Sequence, residues 1–385
     1  MDATIQEYLE KIKSMQCKIL DYLDSNNNNE ENFQNLVELF DKHKIRENKH
    51  ELKILLILLS KISSHHYRYL DFFNKIEKIL LLFKDEIKQT QSKAEIFNIY
   101  KNNKRMLLFF LEQELLEITD PILETMSTKK SRESFFLHYF YPETKNFISK
   151  PMLRKIEREL PEDYIEKRKK GENDDRICEI IRLDLIDDFI IQMNENKLTV
   201  KTPVKNSFFE TNVFLNDNDP TLIEYAAFFG SIKIFMHLFK SKSNDDNLSP
   251  QLWLYAIHGR NLDIIKFLKE NKIEIPIDRT YERCYEEAIK CHHNDIAYFI
   301  ECNYLNKSNE IYNLENRYNI NALNYGFRYY NFCYFANKIK NRFVFYYACQ
   351  YGYYTLVDLL IKAKIINVNE LVISKSIIFF NLKIL

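Results

Sequence analysis

Glycine and proline are scarce in this sequence, which contains five glycines and eight prolines among its 385 residues. Few turns can therefore depend on glycine for a left-handed backbone, and helices can run for long stretches without a proline to break them. The glycines are also too widely spaced to build a phosphate-binding loop of the G-x-G-x-x-G or Walker type. These shortages favour an all-α fold and disfavour β-rich folds and nucleotide-binding loops.

The sequence also lacks net charge, because 55 Lys and Arg residues balance 55 Asp and Glu residues. A general binder of nucleic acid or of membrane surfaces carries an excess of positive charge. The basic run at residues 167–170 is followed at once by Glu172, Asp174 and Asp175, as is typical of a solvated charged loop. We therefore expect no nucleic-acid partner.

No segment has the character of a signal peptide or a membrane span. The N-terminal stretch MDATIQEYLEKIK is charged and amphipathic, without an apolar core. The most apolar windows, residues 54–59 and 105–116, are too short or too charged to cross a bilayer. The seven cysteines are scattered and odd in number, which favours reduced thiols. We expect no integral membrane segment and a location in the cytosol or the nucleus.

Apolar residues recur at helical spacing through the first 165 residues. The first stripe, residues 5–15, keeps an i, i+3, i+4, i+7 rhythm. Similar stripes occupy residues 36–40, 52–62, 72–83, 106–118 and 131–141. We expect the last two of these helices to end at Pro121 and Pro142, because proline disfavours helix at the preceding residue. The pattern predicts a helical N-terminal domain over residues 1–165.

The chain changes character after residue 160. Residues 161–176 are highly charged and contain Gly171, so we predict a domain boundary or a mobile loop there. Beyond this segment an internal similarity appears, which is the signature of a repeat architecture.

Five stretches beyond residue 219 align with one another. Each has a small residue within a predicted first helix, and these residues lie 30, 32, 38 and 22 positions apart: Ala226, Ala256, Ala288, Gly326 and Ala348. A small residue there lets neighbouring helix pairs approach closely. A large residue three positions earlier can fill the gap between stacked pairs: Ile223, Trp253, Tyr285, Leu323 and Phe345. The alignment predicts a stacked series of helix pairs.

The turn inside each pair favours a residue that tolerates a left-handed backbone. Glycine occupies this position in two of the stretches, as Gly230 and Gly352. Arg260, His292 and Tyr330 are the equivalents in the other three, which must turn without glycine.

The best-preserved stretch, TLIEYAAFFGSIKIFMHLF at residues 221–239, resembles the core of an ankyrin repeat. TLIEYAA corresponds to the family pattern T-P-L-H-x-A-A with the proline and histidine replaced. Residues 348–360, followed by Asn-Val-Asn at 367–369, also resemble that pattern. The arrangement, with a helical leader before divergent repeats, is similar to an uncharacterised ankyrin-linked domain family of some protists.

This resemblance covers roughly residues 219–370, with a degenerate half-repeat before it. It implies an all-α protein in which an ankyrin-like helix-turn-helix solenoid, residues 177–370, follows the leader domain. Its repeats fall near residues 177–206, 219–247, 249–280, 281–318, 319–340 and 341–370. A generic solenoid of helix hairpins is the open alternative.

The resemblance also implies a protein partner, bound on the concave face of the first helices and on joining loops such as 240–247 and 303–310. Two positions of each first helix, three residues apart, share a face. They are Tyr225/Phe228, Tyr255/His258, Glu287/Lys290, Tyr325/Arg328 and Tyr347/Gln350. Tyrosine is enriched at interfaces and supplies four of the five first members. Alternatively, these tyrosines pack beneath the joining loops and are structural.

Metal and catalytic motifs are weak. Three cysteines and two histidines lie within 19 residues: Cys284, Cys291, His292, His293 and Cys302. Their spacing lacks the tight C-x-x-C or H-x₃₋₅-H pairs that zinc sites usually show. No nucleophile, base and orienting acid fall in a recognisable motif. We expect no metal, no cofactor and no enzymatic activity.

We therefore predict a non-catalytic protein–protein interaction scaffold or adaptor. One alternative is a self-associating, regulatory or membrane-peripheral protein that uses the apolar C-terminal tail, residues 371–385. A second alternative is an enzymatic activity in the leader domain, which a deep pocket with converging polar groups would favour.

Overall fold

A computed structural model describes residues 3–25, 30–68, 71–127, 133–242, 247–275, 281–305, 312–335 and 343–364. Throughout these ranges the protein is all-α, without a β-strand. The predicted C-terminal tail, the Asn-Val-Asn motif at 367–369 and parts of the joining loops at 240–247 and 303–310 lie outside the described residues.

The helices follow one another closely along the chain. The first eight are α1 (Ala3–Asp24), α2 (Glu30–Lys42), α3 (Lys49–His65), α4 (Phe72–Leu81), α5 (Lys84–Thr90), α6 (Lys93–Tyr100), α7 (Lys104–Glu112) and α8 (Asp120–Ser127). The next seven are α9 (Glu133–Tyr139), α10 (Tyr141–Thr144), α11 (Lys150–Glu159), α12 (Tyr164–Lys170), α13 (Arg176–Arg182), α14 (Ile186–Glu195) and α15 (Val213–Asn218). The remainder are α16 (Leu222–Phe229), α17 (Ile232–Ser241), α18 (Leu252–His258), α19 (Leu262–Glu270), α20 (Glu282–Lys290), α21 (Asn294–Ile300), α22 (Tyr312–Tyr329), α23 (Phe332–Phe335), α24 (Val344–Gln350) and α25 (Tyr354–Lys362). A 3₁₀ helix (Ile45–Glu47) and a π-helical turn (Glu301–Leu305) complete the set.

Pro121 and Pro142 begin helices, so the prediction that they end helices is wrong. The stripe at 106–118 stops being helical at Glu112, and Glu114 has a φ of 59°. Pro121 is the second residue of α8 and Pro142 the second residue of α10. The first turn of a helix suits proline, because its φ is already fixed and its missing N–H has no intrahelical acceptor there.

The charged segment 161–176 contains a helix, which corrects the loop alternative of the prediction. It contains α12, whose Arg168 side chain is buried and lies 2.6 Å from Glu143. Gly171 ends the helix with a φ of 68°. Its carbonyl accepts a 2.7 Å hydrogen bond from the hydroxyl of Thr211. The charged segment therefore includes a helix with a buried arginine and ends in a turn that Thr211 holds by a hydrogen bond.

Internal contacts divide the chain into two compact units. Unit 1 consists of Met1–Ile62, Arg68–Glu86 and Tyr281–Leu385. Unit 2 consists of Ser63–Tyr67 and Ile87–Thr280. The predicted domains 1–165 and 177–370 stay a prediction, because contacts within one chain do not test which segments fold alone.

Each unit contains three consecutive helix pairs. In unit 2 the pairs are α13/α14, α16/α17 and α18/α19, and α16 packs against both α13 and α18. In unit 1 they are α20/α21, α22/α23 and α24/α25, and α22 packs against both α20 and α24. First helices of successive pairs are thus neighbours inside each unit.

Two or three residues separate the two helices of every pair, and one of them has a left-handed backbone. These residues and their φ angles are Asp184 (50°), Gly230 (66°), Arg260 (49°), His292 (58°), Tyr330 (58°) and Gly352 (78°). The alignment predicted five of these positions, including the three without glycine, and the structure confirms them.

The N–H that follows the left-handed residue closes the turn in four of the aligned pairs. It reaches the carbonyl five residues earlier, which belongs to the small aligned residue: Ser231 to Ala226 (2.9 Å), His293 to Ala288 (3.0 Å), Asn331 to Gly326 (2.9 Å) and Tyr353 to Ala348 (2.9 Å). This is the bond of a Schellman motif, which satisfies a carbonyl that a helix end would leave unpaired.

In unit 1, α1 packs against α23 and α25, and a buried amide network joins it to the helix pairs. The Gln16 side chain donates to the Asn331 Oδ1 atom (3.0 Å) and accepts from the Phe332 N–H (2.6 Å). Asn331 in turn donates to the carbonyl of Ile289 (2.9 Å) and to Asn294 Oδ1 (2.7 Å). Both Gln16 and Asn331 are fully buried. The network therefore connects α1 with two successive pairs.

Two glycines of unit 2 are needed for different reasons. Gly230 needs its positive φ. Gly259, the residue after α18, lies so close to α16 that an added Cβ would be 2.2 Å from the carbonyl oxygen of Ala227. The second constraint is a contact between two backbones, which no side-chain rearrangement can relieve.

We predict that Gly259→Ala destabilises unit 2 more than Gly230→Ala. The strain of an L-residue at a left-handed position should cost Gly230→Ala roughly 1–2 kcal/mol. Gly259→Ala adds the same methyl group but must separate α16 from α18. Urea unfolding followed by circular dichroism measures both, and a Gly259→Ala variant as stable as Gly230→Ala would contradict the close approach.

Gln16→Leu should lower the free energy of unfolding by roughly 1–3 kcal/mol, because it leaves the Phe332 N–H and the Asn331 amide oxygen buried without this partner. Gln6→Leu is the matched control, since Gln6 lies on the exposed side of the same helix. The same urea experiment compares them. Equal effects of the two substitutions would show that the network does not hold α1.

Candidate functional site

The first two predicted binding tyrosines belong to the interior of unit 2. Tyr225 and Tyr255 are each 1% exposed. The Tyr225 hydroxyl accepts a 2.8 Å hydrogen bond from Arg182, whose Nε lies 3.1 Å from Glu172. Burial raises the pKa of Tyr225 well above its usual value, although Arg182 opposes the shift. Tyr225 therefore links the first helices of two successive pairs.

Helix α15 packs on the face that these tyrosines share with Phe228 and His258. The ring centre of Phe214 lies 4.9 Å from that of Tyr255, 4.1 Å from that of His258 and 6.1 Å from that of Phe228. The Tyr255 hydroxyl donates to the carbonyl of Asn218 (3.3 Å), and Phe228 and His258 are buried. These side chains are core residues of unit 2, so no partner surface can be built on them there.

The pair Glu287/Lys290 is engaged internally in unit 1. Lys290 Nζ lies 2.9 Å from Glu287 Oε1, and the two side chains are 19% and 10% exposed. Burial opposes the charge of Lys290, but Glu287, Cys291 and Glu286 together outweigh it and raise the Lys290 pKa. This ion pair supports α20.

The last two predicted pairs lie at the surface of unit 1. Arg328 and Gln350 are exposed, and Tyr325 and Tyr347 are half-buried. Two further half-buried tyrosines, four residues beyond Tyr325 and Tyr347, share these helix faces. We call the whole set the tyrosine face: Tyr325, Arg328, Tyr329, Tyr347, Gln350 and Tyr351.

Tyr329 and Tyr351 are not among the predicted binding residues. The prediction rests on i+3 neighbours of the aligned tyrosines, whereas i+4 neighbours also lie on the same face of a helix. The i+4 spacing was therefore the signal that could have found them.

Hydrogen bonds to the preceding helix pair fix three of the four tyrosine hydroxyls. Tyr325 donates to Glu282 (3.1 Å) and Tyr329 donates to Glu286 (2.8 Å), both on α20. Burial, together with these carboxylates, raises the pKa values of both tyrosines, so the phenols stay protonated.

The same arrangement recurs one pair later, where Tyr351 donates to Asn324 of α22 (2.8 Å). The Tyr347 ring lies 5.3 Å from the Tyr346 ring and 6.4 Å from the Tyr351 ring, between centres. The rings are held in place before any partner arrives.

A cavity of about 350 Å³ adjoins the tyrosine face. Gln350 and Tyr351 belong to that face and also line the cavity. His50 and Lys53 of α3 lie on another side of the cavity, together with Cys349 of α24. Burial raises the pKa of Cys349 to about 11. Cys349 is therefore a neutral thiol at physiological pH and a poor nucleophile.

The cysteine- and histidine-rich stretch builds the turn between α20 and α21. Cys291 follows α20, His292 takes the left-handed backbone and the His293 N–H closes the turn. Cys291 is fully buried, and burial raises the pKa of its thiol well above the ordinary value. These three residues thus have a structural role in the helix pair.

The chain matches no protein-family model, no curated protein and no solved structure. Among the described helices, none is both long enough and apolar enough to cross a membrane. The ankyrin resemblance therefore rests on the residues of the aligned stretches and their turns.

A half-buried cation lies near the tyrosine face. The Lys61 ammonium group, on α3, has a pKa lowered mainly by burial and further by Arg328 and Lys290. A lysine whose folded pKa is lowered costs stability at pH values below that pKa, and the cost vanishes as pH rises to the unfolded value.

Lys61→Met should therefore raise the free energy of unfolding at pH 7, with a gain that shrinks as pH approaches 10.5, the ordinary lysine value. Lys18→Met is the control, because Lys18 is exposed on α1. Urea unfolding across this pH range tests both. A Lys61→Met gain that does not depend on pH would contradict the assigned cause.

Proposed function

We propose that this protein is a non-catalytic scaffold or adaptor that binds a protein partner through an ankyrin-like solenoid. The support is the shared construction of the six helix pairs, each turned by one left-handed residue. Within each unit the first helices of three successive pairs pack side by side. A single helix pair cannot bury its own apolar face, so such pairs are stable only when stacked.

We place the partner on the tyrosine face. The observation that carries this assignment is a set of four half-buried tyrosines, three of which have hydroxyls fixed by the preceding helix pair. Tyrosine and arginine dominate the energetically important positions of protein interfaces. Side chains that are already ordered lose less conformational entropy on binding, which increases affinity.

The surface is chemically mixed. Arg328 Nη1 lies 3.6 Å from Glu286 Oε1, and its side chain is 53% exposed. The guanidinium group therefore keeps donors free for a carboxylate or carbonyl of a partner. Around it the tyrosine rings offer apolar area, so we expect a partner with an apolar centre flanked by acceptor groups.

The location we infer is the cytosol or the nucleus. All seven cysteines are free thiols, as is usual for proteins of reducing compartments.

Tyr347→Ala and Arg328→Ala should each weaken capture of the partner by about tenfold or more, the usual cost of truncating an important interface residue. Affinity capture from the native cell with mass spectrometry identifies the partner, and titration measures the affinity. Both variants should keep the circular-dichroism spectrum of the parent.

Tyr298→Ala is the matched control, because Tyr298 is 66% exposed on α21, a second helix of its pair. It should leave the affinity unchanged. If Tyr298→Ala weakens capture as much as Tyr347→Ala does, the tyrosine face is not the binding surface.

A further inference from the structure

Two cysteines that are distant in sequence lie side by side in unit 1. Cys17 of α1 and Cys333 of α23 are 316 positions apart, yet their sulfur atoms are 3.6 Å from each other. Both are half-buried and neither forms a disulfide. Solvent and small oxidants can therefore reach a preformed dithiol.

The two thiols differ in acidity. The hydrogen bond from Cys333 holds the pKa of Cys17 at about 7, with help from Lys13 and against burial, Asp21 and Glu10. The same bond and burial raise the pKa of Cys333, although Lys13 opposes that shift. At neutral pH a large fraction of Cys17 is thiolate, the nucleophilic form, while Cys333 keeps its proton.

The local framework holds the pair in register. Gln16, next to Cys17, accepts the N–H of Phe332, next to Cys333. A disulfide has a sulfur–sulfur bond of about 2.05 Å, so the two sulfurs need to approach by only about 1.5 Å. Rotation of the Cys17 and Cys333 side chains can close this distance, while the Gln16–Phe332 hydrogen bond keeps the two backbones in place.

We propose that Cys17 and Cys333 form a site of reversible oxidation, at which a peroxide converts the two thiols into a disulfide between α1 and α23. This proposal does not depend on the proposed binding function. Its consequence is a covalent tie between the N-terminal helix and the helix pairs of unit 1.

The chemistry has two steps. The Cys17 thiolate attacks one peroxide oxygen, the O–O bond breaks, and the departing hydroxide takes up a proton to become water, which leaves a sulfenic acid on Cys17. The Cys333 sulfur then attacks the Cys17 sulfur. The S–S bond forms, the S–O bond breaks, and the departing hydroxide combines with the Cys333 proton as a second water. The two thiols lose two electrons to the peroxide.

Other cysteines lack this combination of features. Burial raises the pKa of Cys349 to about 11 and that of Cys178 to about 12. Both are therefore almost entirely protonated at neutral pH and react slowly with peroxide. We expect oxidation to select the Cys17–Cys333 pair.

The test uses the full chain, reduced and then exposed to hydrogen peroxide at pH 7. Remaining thiols are blocked, and the protein is digested and analysed by mass spectrometry. The expected major product is a peptide pair linked through Cys17 and Cys333 that dithiothreitol separates. On a non-reducing gel the oxidised chain should migrate faster than the reduced chain.

Three variants sharpen the outcome. Cys17→Ser and Cys333→Ser should each abolish the linked peptide and the faster band, and Cys333→Ser should leave a sulfenic acid on Cys17 that dimedone traps. Cys349→Ser should still form the link. The proposal is overturned if folded parent protein forms no Cys17–Cys333 link, or forms it no more readily than other pairings seen after oxidation in guanidinium.

Discussion

The helix pairs depend on one constraint, the reversal of the chain through a single left-handed residue. A non-glycine residue in that conformation costs roughly 1–2 kcal/mol. Arg260, His292 and Tyr330 accept it in a chain that has few glycines. Where the next N–H bonds back to the small aligned residue, as it does after His292 and Tyr330, it satisfies a carbonyl that would otherwise be unpaired. The same small residue that allows close packing thus also closes the turn.

The turn also connects one helix pair to the preceding pair through side-chain hydrogen bonds. In three pairs, the residue after the left-handed position bonds to the preceding pair through its side chain: Ser231 to the Ile181 carbonyl (2.5 Å), Asn261 to the Gly230 carbonyl (3.4 Å) and Asn331 to the Ile289 carbonyl (2.9 Å). At Asn331 the same side chain also binds Gln16. The turn at Asn331 therefore joins α1 to the helix pairs of unit 1. The Cys17–Cys333 contact lies beside this turn.

Much of this architecture could be predicted from local sequence. The positions of the turns could be predicted from the small aligned residues and from the spacing of apolar residues, because each of these patterns extends over only a few residues of chain. The burial of Tyr225 and Tyr255 could not be predicted in the same way. It depends on Arg182 and on Phe214 of α15, a segment outside the repeat alignment. The roles predicted for Pro121 and Pro142 are wrong because proline suits both the end and the beginning of a helix.

Native-state hydrogen exchange of the full chain tests the repeated turn most directly. The informative amides are those of Ser231, His293, Asn331 and Tyr353, which donate to the small aligned residues. They follow the helix end, where an unbonded amide would exchange as fast as a loop amide. We expect all four to exchange as slowly as amides inside α16, α20, α22 and α24. Exchange of these amides at loop rates would show that the pairs are not closed by a common turn.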